Sequence, residues 1–486
     1  MKAVTCARMS AVFCFAVLVS LFAVSPLSAQ WETDLRLTND AGYSFTSQNN
    51  AWCVAAAGDT LHATWFDDRD GARQIYYKRS TSGGTNWGTD TRLINTVDWA
   101  HDPSIAASGL NVHVGWIDQR DRNTEIYYMR STNGGTNWGT DVRLTNDTAY
   151  TATPSVAVSG NYVHVAWIDR RPGNQEIYYK RSTDNGANWG ADTRLTNDAD
   201  MSWFPSVAVS GSNVHMVWQD YRNNNYEVYY KRSQDNGATW GADTRLTNSA
   251  AWSWYPAAAV SGSSVHVVWF DSTPGNWEIY YKRSTDGGTT WGADTRLTNT
   301  PLGSTFPSVA ASGSNVHVTW MDSLGGRNHE IYYKRSPDGG ATWSADVRLT
   351  NDPASSYYPS VAASGARVHV VWSDDRNGNY ELYYKRNPTG NIGIEEEKSV
   401  SFLHPLSLPA VFRNRIVLRF STPSSMPLKL AMYDLTGQQL FERSYSSIPA
   451  SIILQGAPLK KLPAGIYFLK LDSEPLTGCN KIIKVE

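Results

Sequence analysis

The stretch AAAVSGSSVHVVWFDSTPGNWEIYYKRSTDGGTTWGADTRLT, residues 257–298, decides the fold. Within it, Val265, Val267 and Trp269 occupy every second position, which is the side-chain period of a β-strand. Glycine, serine and asparagine separate four such segments, as turns require. We predict strand a at residues 257–261, strand b at 265–271, strand c at 278–283 and strand d at 291–298.

This unit occurs seven times. The tryptophan that ends strand b recurs at a spacing of 51 residues five times and then 52, at Trp65, Trp116, Trp167, Trp218, Trp269, Trp320 and Trp372. Four strands per unit and seven units predict an all-β chain with a seven-bladed β-propeller, one blade per unit. The seventh unit lacks strand d, while residues 31–39 match strand d of the first unit at 87–95. The N-terminal strand is therefore predicted to complete the last blade and close the ring.

The two ends of the chain differ from the repeat. Lys2 and Arg8 precede an apolar run over residues 11–24 and small residues at 28–29, so residues 1–29 are predicted to be a secretory signal peptide. The propeller is assigned to residues 30–387, a linker to 388–400 and a β-sandwich to 401–486. Cys53 and Cys479 remain after the signal, which is too few for a disulfide framework.

Composition excludes several classes of protein. The 486 residues contain 43 Lys and Arg against 45 Asp and Glu, so no basic excess favours nucleic acid as a partner. No apolar stretch after the signal is long enough for a transmembrane span. We expect no cofactor. We also expect no metal, because the histidine present in every strand b is interpreted as a packing residue: His62, His113, His164, His215, His266, His317 and His369.

The turn between strands c and d carries the motif Ser-x-Asp-x-Gly-x-x-Trp, with its aspartate at Asp184, Asp235, Asp286 and Asp338; Ser82 and Asn133 replace it in the first two units. The motif resembles the Asp box, or BNR repeat, of sialidase-superfamily propellers. The resemblance implies a fold and a structural role for the motif, not an activity. Residues 348–383 also resemble the repeat of TolB-type propellers, which bind proteins.

Residues 432–437, 462–468 and 481–484 resemble the C-terminal sorting domain of type IX secretion cargo. The resemblance implies an immunoglobulin-like sandwich that engages the type IX secretion machinery. Together with the predicted signal, it implies a protein that is secreted or displayed on the outer cell surface.

The b–c and d–a loops are predicted to share one face of the propeller. Five b–c loops place an arginine two residues after an aspartate, at Arg69, Arg120, Arg171, Arg222 and Arg376; units five and six lack it. These arginines either bind a ligand or pair with aspartates that fasten the loops. In sialidases such arginines hold the substrate carboxylate, but that family's Phe/Tyr-Arg-Ile-Pro motif is absent here, and no catalytic residue is assigned.

The tryptophans separate framework from candidate site. Of 20, seven end strand b and seven begin strand d, namely six in Asp boxes plus Trp31. Four of the other six fall in units four and five with three further aromatic residues, so the candidate ligand site comprises Trp203, Phe204, Tyr221, Trp252, Trp254, Tyr255 and Trp277. Exposed aromatic clusters mark binding surfaces, although these side chains could instead pack the loops together. We therefore predict a glycan- or protein-recognition module, with an exo-α-sialidase-type glycoside hydrolase and a TolB-like interaction scaffold as alternatives.

Overall fold

The structure, a computed structural model, describes residues 31–47, 53–323, 325 and 328–390, and in the C-terminal part 406–407, 411–412, 415–420, 425, 427–434, 438–447, 449, 451–455, 459, 462–463, 465–473 and 476–484. The predicted signal peptide and most of the predicted linker lie outside these residues. The chain divides into two compact units, residues 1–393 and 394–486. Among the described residues, no helix has the length and apolarity needed to cross a membrane.

The described residues of the first unit form seven antiparallel sheets. Its strands are β1 (Leu35–Arg36), β2 (Ser44–Phe45), β3 (Val54–Ala57), β4 (Thr60–Asp67), β5 (Gln74–Ser80), β6 (Thr91–Arg92), β7 (Ala100–Ser108), β8 (Asn111–Asp118), β9 (Glu125–Ser131), β10 (Val142–Arg143), β11 (Thr151–Ser159), β12 (Tyr162–Asp169), β13 (Glu176–Ser182), β14 (Thr193–Arg194), β15 (Ser202–Ser210), β16 (Asn213–Asp220), β17 (Glu227–Ser233), β18 (Thr244–Arg245), β19 (Ser253–Ser261), β20 (Ser264–Asp271), β21 (Glu278–Ser284), β22 (Thr295–Arg296), β23 (Ser304–Ser312), β24 (Asn315–Ser323), β25 (His329–Ser336), β26 (Val347–Arg348), β27 (Ser356–Ser364), β28 (Arg367–Asp374) and β29 (Glu381–Asn387).

Sheets 2 to 6 begin at β7, β11, β15, β19 and β23, and each pairs four consecutive strands in the order a-b-c-d. In sheet 1, β2 and β3 both pair with β4, which is followed by β5 and β6; in sheet 7, β1 pairs with β29 beside β28 and β27. Four-stranded antiparallel sheets repeated in this way are typical of a propeller. The predicted pairing of the N-terminal strand with the last repeat is present, with Leu35 opposite Tyr384.

Two strand boundaries differ from the prediction. Strand a of sheet 5 begins at Ser253 rather than residue 257, because its pairing resumes beyond a register shift between Trp254 and Ala257. Pro256 lies in that shift, where a residue without a backbone N–H is tolerated. Strand d contains only two ladder residues. The Leu297 N–H still bonds to Ile279 O in register, but the Ile279 N–H bonds to Thr298 Oγ1 at 2.8 Å instead of to a backbone carbonyl.

Neighbouring sheets are joined by one repeated contact. The hydroxyl of Tyr179 bonds to Nδ1 of His164 at 2.6 Å, and Trp240 of the next sheet meets the Tyr179 ring edge-on at 5.0 Å. Gly237 has φ 76°, and a Cβ there would overlap the Tyr179 hydroxyl. The same contact joins sheets 7 and 1, where Trp87 meets Tyr384 at 5.0 Å. The repeated residues thus hold each sheet against the next.

The Asp-box turns are held by their own side chains. Asp235 accepts the Thr239 N–H at 2.9 Å, and Ser233 Oγ accepts the Gly237 N–H at 2.8 Å. Hydrogen bonds from the turn lower the pKa of the box aspartates, in Asp184 to about 2. Asp286 and Asp338 accept equivalent bonds. These contacts account for the motif without any ligand.

The second unit contains β30 (Leu406–Ser407), β31 (Val411–Phe412), β32 (Arg415–Phe420), β33 (Leu428–Tyr433), β34 (Gln439–Tyr445), β35 (Ser451–Gln455), β36 (Gly465–Ser473) and β37 (Leu476–Lys484). They form a three-stranded sheet, β30-β32-β35, and a five-stranded sheet, β31-β37-β36-β33-β34. Ile416, Leu430, Met432 and Leu454 belong to the buried core of this unit.

Candidate ligand-binding site

The register places the predicted site residues at one end of the sheets. In sheet 4, Ser202 lies opposite Asp220, and Asp220 lies opposite Glu227. The start of strand a, the end of strand b and the start of strand c therefore share one end, which we call the b–c end. The Asp-box turns, between strands c and d, lie at the other end.

The candidate tryptophans of sheets 4 and 5 form one cluster at the b–c end. The Trp252 and Trp254 rings are parallel, with an interplanar angle of 3° and centroids 5.4 Å apart, and Trp254 lies 5.5 Å from Trp277. Tyr226, which the sequence analysis missed, stacks on Trp203 at 5.7 Å and meets Trp254 edge-on at 5.3 Å. We call these five residues the aromatic cluster. Trp252 is 46% exposed, whereas Trp203, Trp254 and Trp277 are half-buried.

The sequence analysis missed Tyr226 although it carries a signal: it occupies the same repeat position as Trp277, 51 residues earlier and directly before strand c. It is the residue that joins the clusters predicted from two different units, and it also brings in Tyr221, whose ring lies 4.7 Å away. Phe270 contacts the cluster as well, 5.0 Å from Trp277. The cluster is thus larger and more tightly packed than the sequence indicated.

Phe204 and Tyr255 belong to a second set of residues at the same end. They precede the proline of strand a and adopt φ of 50°, as do the residues before proline in the other described strands of this kind. This set, which we call the mouth ring, comprises Asp102, Thr153, Phe204, Tyr255, Phe306 and Tyr358, all with φ between 50° and 57°. A left-handed backbone conformation is unusual for residues other than glycine, and it persists only where the surrounding structure enforces it.

The mouth ring is not symmetric. Phe204 stacks on Tyr255 at 4.0 Å, Tyr255 meets Phe306 at 5.0 Å, and Phe306 meets Tyr358 at 4.8 Å. Sheets 2 and 3 instead contribute Asp102 and the buried Thr153. Burial raises the pKa of Tyr255 to about 12, and the charges of Tyr358 and Asp102 add to that effect. Aromatic rings therefore line one side of the ring and a carboxylate the other.

Beyond the mouth ring, the strands a enclose an apolar cavity of about 200 Å³. Its walls are alanine, valine and isoleucine side chains from all seven sheets, including Val54, Ala106, Ala208 and Val361. None of these lining residues has a charged side chain.

The five candidate arginines are all paired with carboxylates. Arg222 bonds to Asp220 at 2.6 Å and to Asp243 at 2.8 Å, and its guanidinium lies 4.3 Å from the centroid of Tyr229. Arg69, Arg120, Arg171 and Arg376 repeat this arrangement, with ring distances of 4.3 to 4.5 Å. Each of these guanidinium charges is already matched by at least two carboxylates. This is the loop-fastening arrangement that the sequence left as an alternative to ligand binding.

The charged residues of strand d are also paired. Arg245 is exposed, as the sequence pattern predicts for the charges along this outer edge, and it also bonds at 2.7 Å to Glu227, which is fully buried. Lys231 bonds at 2.8 Å to Asp243. A buried carboxylate needs such a partner, so the exposed arginine also balances a charge inside the sheet.

The strand-b histidines are buried, and each uses Nδ1 to bond a tyrosine hydroxyl of strand c. Burial lowers their pKa to about 3 or 4. Among the described residues, no group of three histidine, cysteine, aspartate or glutamate side chains is arranged to hold a metal ion.

No protein-family model and no curated protein sequence matches the chain. Solved structures do match. An ulvan lyase of polysaccharide lyase family PL25, bound to -[GlcA(1-4)Rha3S]-, superposes with a TM-score of 0.51 at 11% identity, covering 72% of this chain and 95% of its own. The polysaccharide lyase Uly1 has a TM-score of 0.51 at 8% identity, covering 74% and 100%. Trypanosoma rangeli sialidase in complex with the inhibitor DANA has a TM-score of 0.45 at 13% identity, covering 81% and 86%.

These matching structures are propellers of the sialidase-like, polysaccharide lyase and glycosidase kinds. At such low identity the likeness shows the fold alone. That fold is a β-propeller, as the repeat predicted.

Proposed function

We propose that this chain recognises a glycan through the aromatic cluster at the b–c end of sheets 4 and 5. The observation that carries the proposal is the exposed indole of Trp252, held parallel to Trp254 at 5.4 Å. A flat ring fixed in this way presents a rigid apolar surface, which suits the apolar face of a sugar and costs little conformational entropy on binding. Matching structures that include glycan lyases and a sialidase support this class of ligand.

Hydroxyl groups of the loops next to Trp252 could orient sugar hydroxyls. Ser272 Oγ accepts the backbone N–H of Trp252 at 3.2 Å, and the exposed Thr273 hydroxyl bonds to Ser249 at 2.6 Å. An apolar platform with a few hydrogen-bonding groups at its rim is the usual composition of a small-ligand site. The candidate arginines are left out of the proposed site, since carboxylates already match their charge.

The test measures binding of the chain from residue 30 onward to immobilised ulvan, sialyllactose and arabinan by biolayer interferometry. Trp252→Ala should weaken binding of whichever glycan the unmodified protein retains by at least tenfold, equivalent to about 1.4 kcal/mol. Trp99→Ala is the matched control, because Trp99 is similarly exposed, at 51%, but belongs to sheet 2. Equal affinity of both variants and the unmodified protein would reject the site; binding to none of the glycans would favour the protein-binding scaffold.

A glycoside-active protein is the second candidate, favoured by the asymmetry of the mouth ring. Sheet 2 places His101 Nδ1 at 3.2 Å from Asp102 Oδ2, where sheets 4 to 7 contribute aromatic residues. A carboxylate beside an imidazole can serve in general acid–base chemistry. Release of product from any of the three glycans, abolished in Asp102→Asn, would establish this activity and replace the binding-only proposal.

We also propose that the seven sheets are the blades of one closed ring. The pairing of β1 with β29 supports closure, as does the Cys53 N–H, which donates to Ser360 Oγ of sheet 7 at 3.0 Å. Removing residues 31–39 should then destabilise sheet 7 most, and hydrogen exchange would reveal it as faster exchange in β29 than in β17. Equal exchange in both strands would contradict ring closure by β1.

For the second unit we propose a sorting domain of the type IX kind, with an immunoglobulin-like sandwich that directs the propeller to the outside of the cell. Two sheets around a shared apolar core support the sandwich. Deleting residues 401–486 should retain the protein inside a type IX-competent cell, as measured by immunoblotting of the medium and the cell surface. Undiminished export would contradict this role.

A further inference from the structure

Sheet 5 lacks an arginine that its neighbours have, while the residues that hold that arginine are still present. In sheets 1 to 4 and 7, the b–c arginine bridges the aspartate that ends strand b and an aspartate before strand d, and it covers the first tyrosine of strand c. In sheet 5 these three residues are Asp271, Asp294 and Tyr280. The arginine position is taken by Thr273. The b–c loop, residues 272–277, contains no lysine or arginine.

The missing side chain leaves measurable space. The covered tyrosines of the five other sheets are 5 to 7% exposed, whereas Tyr280 is half-buried. The aspartate before strand d is 20 to 27% exposed in those sheets but 40% exposed at Asp294. Trp269 stacks on one side of Tyr280, at 6.0 Å, as the equivalent tryptophan does in sheet 4. The side of the ring that arginine covers elsewhere is therefore open in sheet 5.

The carboxylates of sheet 5 also lack a partner. In sheet 4, Asp220 and Asp243 face Arg222 and Lys231, and Asp198 lies 3.8 Å from Arg222, so the group carries one excess negative charge. In sheet 5, Asp271 and Asp294 face Lys282 alone, which bonds to Asp294 Oδ1 at 2.9 Å. Among the described contacts, the Oδ2 atom that would hold an arginine has no side-chain partner. Ser249 stands where sheet 4 has Asp198, so this group again has one excess negative charge, and Thr273 donates to Asp271 from its backbone N–H at 2.8 Å and from its hydroxyl. What sheet 5 lacks is the cation that pairs with both carboxylates in five other sheets.

We propose that Asp271, Asp294 and the open side of Tyr280 form a binding site for a guanidinium group supplied by another molecule. The planar guanidinium is matched to this arrangement because it can bond to both carboxylates and lie over an aromatic ring at the same time. An ammonium group can satisfy the charge but not this planar geometry. The guanidinium could belong to an arginine of a protein partner or to a small ligand. This site goes beyond the proposed glycan recognition and does not depend on it.

The experiment titrates the chain from residue 30 onward with Nα-acetyl-arginine amide and with Nα-acetyl-lysine amide, using saturation-transfer difference NMR. Saturable binding of the arginine compound is expected, with a dissociation constant on the order of 1 mM, and at least tenfold weaker binding of the lysine compound. Equal binding of the two would overturn the guanidinium assignment. Absence of binding would overturn the site.

Two variants test the location. Thr273→Arg should fill the site from within, as Arg222 does in sheet 4, and so weaken arginine-amide binding at least tenfold while raising the thermal midpoint of unfolding. Asp294→Asn should weaken binding without filling the site, and it keeps the test valid if Thr273→Arg does not fold. The control is Thr285→Arg, which adds the same charge at an exposed position in the Asp-box turn of sheet 5. Unchanged binding in Thr273→Arg and Asp294→Asn, or an equal loss in Thr285→Arg, would overturn the location.

A third arm distinguishes the two sources of the guanidinium. A hexapeptide with one central arginine is compared with the arginine amide. Tenfold tighter binding of the peptide would support a protein partner, because it requires contacts beyond the side chain. Equal affinities would support a small guanidinium ligand at the same site.

Discussion

Replacing Arg222 by leucine tests whether the b–c arginines stabilise the sheets or serve to bind a ligand. Arg222 Nε bonds to Asp220 Oδ1 at 2.7 Å, Nη2 to Asp220 Oδ2 at 2.6 Å and Nη1 to Asp243 Oδ2 at 2.8 Å. Asp220 is 1% exposed, so leucine would leave a buried carboxylate without its cation. We expect Arg222→Leu to destabilise the propeller.

The expected decrease in the free energy of unfolding depends on how deeply Arg222 and its carboxylate partners are buried. Removing one member of a buried ion pair costs about 3–5 kcal/mol. The Arg222 side chain is 19% exposed and Asp243 is 22% exposed, so water compensates part of the loss, and we expect about 2–4 kcal/mol. Arg222→Thr should cost ~1 kcal/mol less, because in sheet 5 the Thr273 hydroxyl donates to Asp271, a bond that leucine cannot make.

The assay is equilibrium urea denaturation of the chain from residue 30 onward, followed by both tryptophan fluorescence and far-ultraviolet circular dichroism so that coincident transitions can be verified. Arg122→Leu is the control, since Arg122 is exposed and its substitution should change stability by less than about 0.5 kcal/mol. An unfolding midpoint of Arg222→Leu equal to that of the unmodified protein would refute the structural role and return this arginine to the candidate ligand site.

Three further predictions concern stability. Burial lowers the pKa of the strand-b histidines to about 3 or 4, so they stay neutral in the folded state, whereas the histidines of the unfolded chain take up protons below their ordinary pKa of 6.5. The free energy of unfolding should therefore be highest above about pH 6.5 and should fall by up to ~1.4 kcal/mol per histidine for each pH unit below it. Urea midpoints measured from pH 7.5 to 5 would test this. A midpoint independent of pH over this range would contradict it. Burial raises the pKa of Asp322 to about 6, so the folded state binds this proton more tightly than the unfolded chain does. The charged Asp322 should lower the free energy of unfolding by ~2–3 kcal/mol above pH 6, and this loss should disappear as the pH falls towards 4. The difference in urea midpoint between Asp322→Asn and the unmodified protein should therefore shrink from pH 7 to 4, and a constant difference would argue against the prediction. Gly237→Ala should destabilise by at least 2 kcal/mol more than Gly211→Ala, since both glycines have positive φ but only the Cβ at 237 would overlap the Tyr179 hydroxyl; equal thermal midpoints for the two variants would show that the tyrosine yields.

Much of the fold could be predicted from the sequence because its signals are local and repeated. The alternation of Val265, Val267 and Trp269 specifies a strand within seven residues, and the recurrence of that strand specifies how many similar sheets to expect. The match of residues 31–39 to a strand d predicted that the N-terminal strand pairs with the last repeat, and in the structure Leu35 lies opposite Tyr384. Repetition makes such long-range pairing predictable, because every complete repeat shows the strand d that the incomplete last repeat lacks.

The candidate site depended more on packing. The sequence identified Trp252, Trp254 and Trp277 as departures from the repeat. The contacts that join them to Trp203 pass through Tyr226, whose position before strand c varies between repeats but whose contacts only the structure shows. The arginines showed the opposite behaviour. Their repetition was visible, yet both a ligand-binding and a structural role remained open until their distances to Asp220 and Asp243 were known.

The sequence by itself determined the strand pattern, the repeat and the absence of an arginine from the b–c loop of sheet 5, because each of these is a property of residues close together in the chain. Only the tertiary structure decided that this absence leaves Tyr280 open and Asp294 more exposed than its counterparts. The physical reason is that exposure and charge balance depend on side chains that approach from strands b, c and d together. A repeat that lacks one residue therefore presents a binding site only where the fold keeps the contact partners of that residue in place.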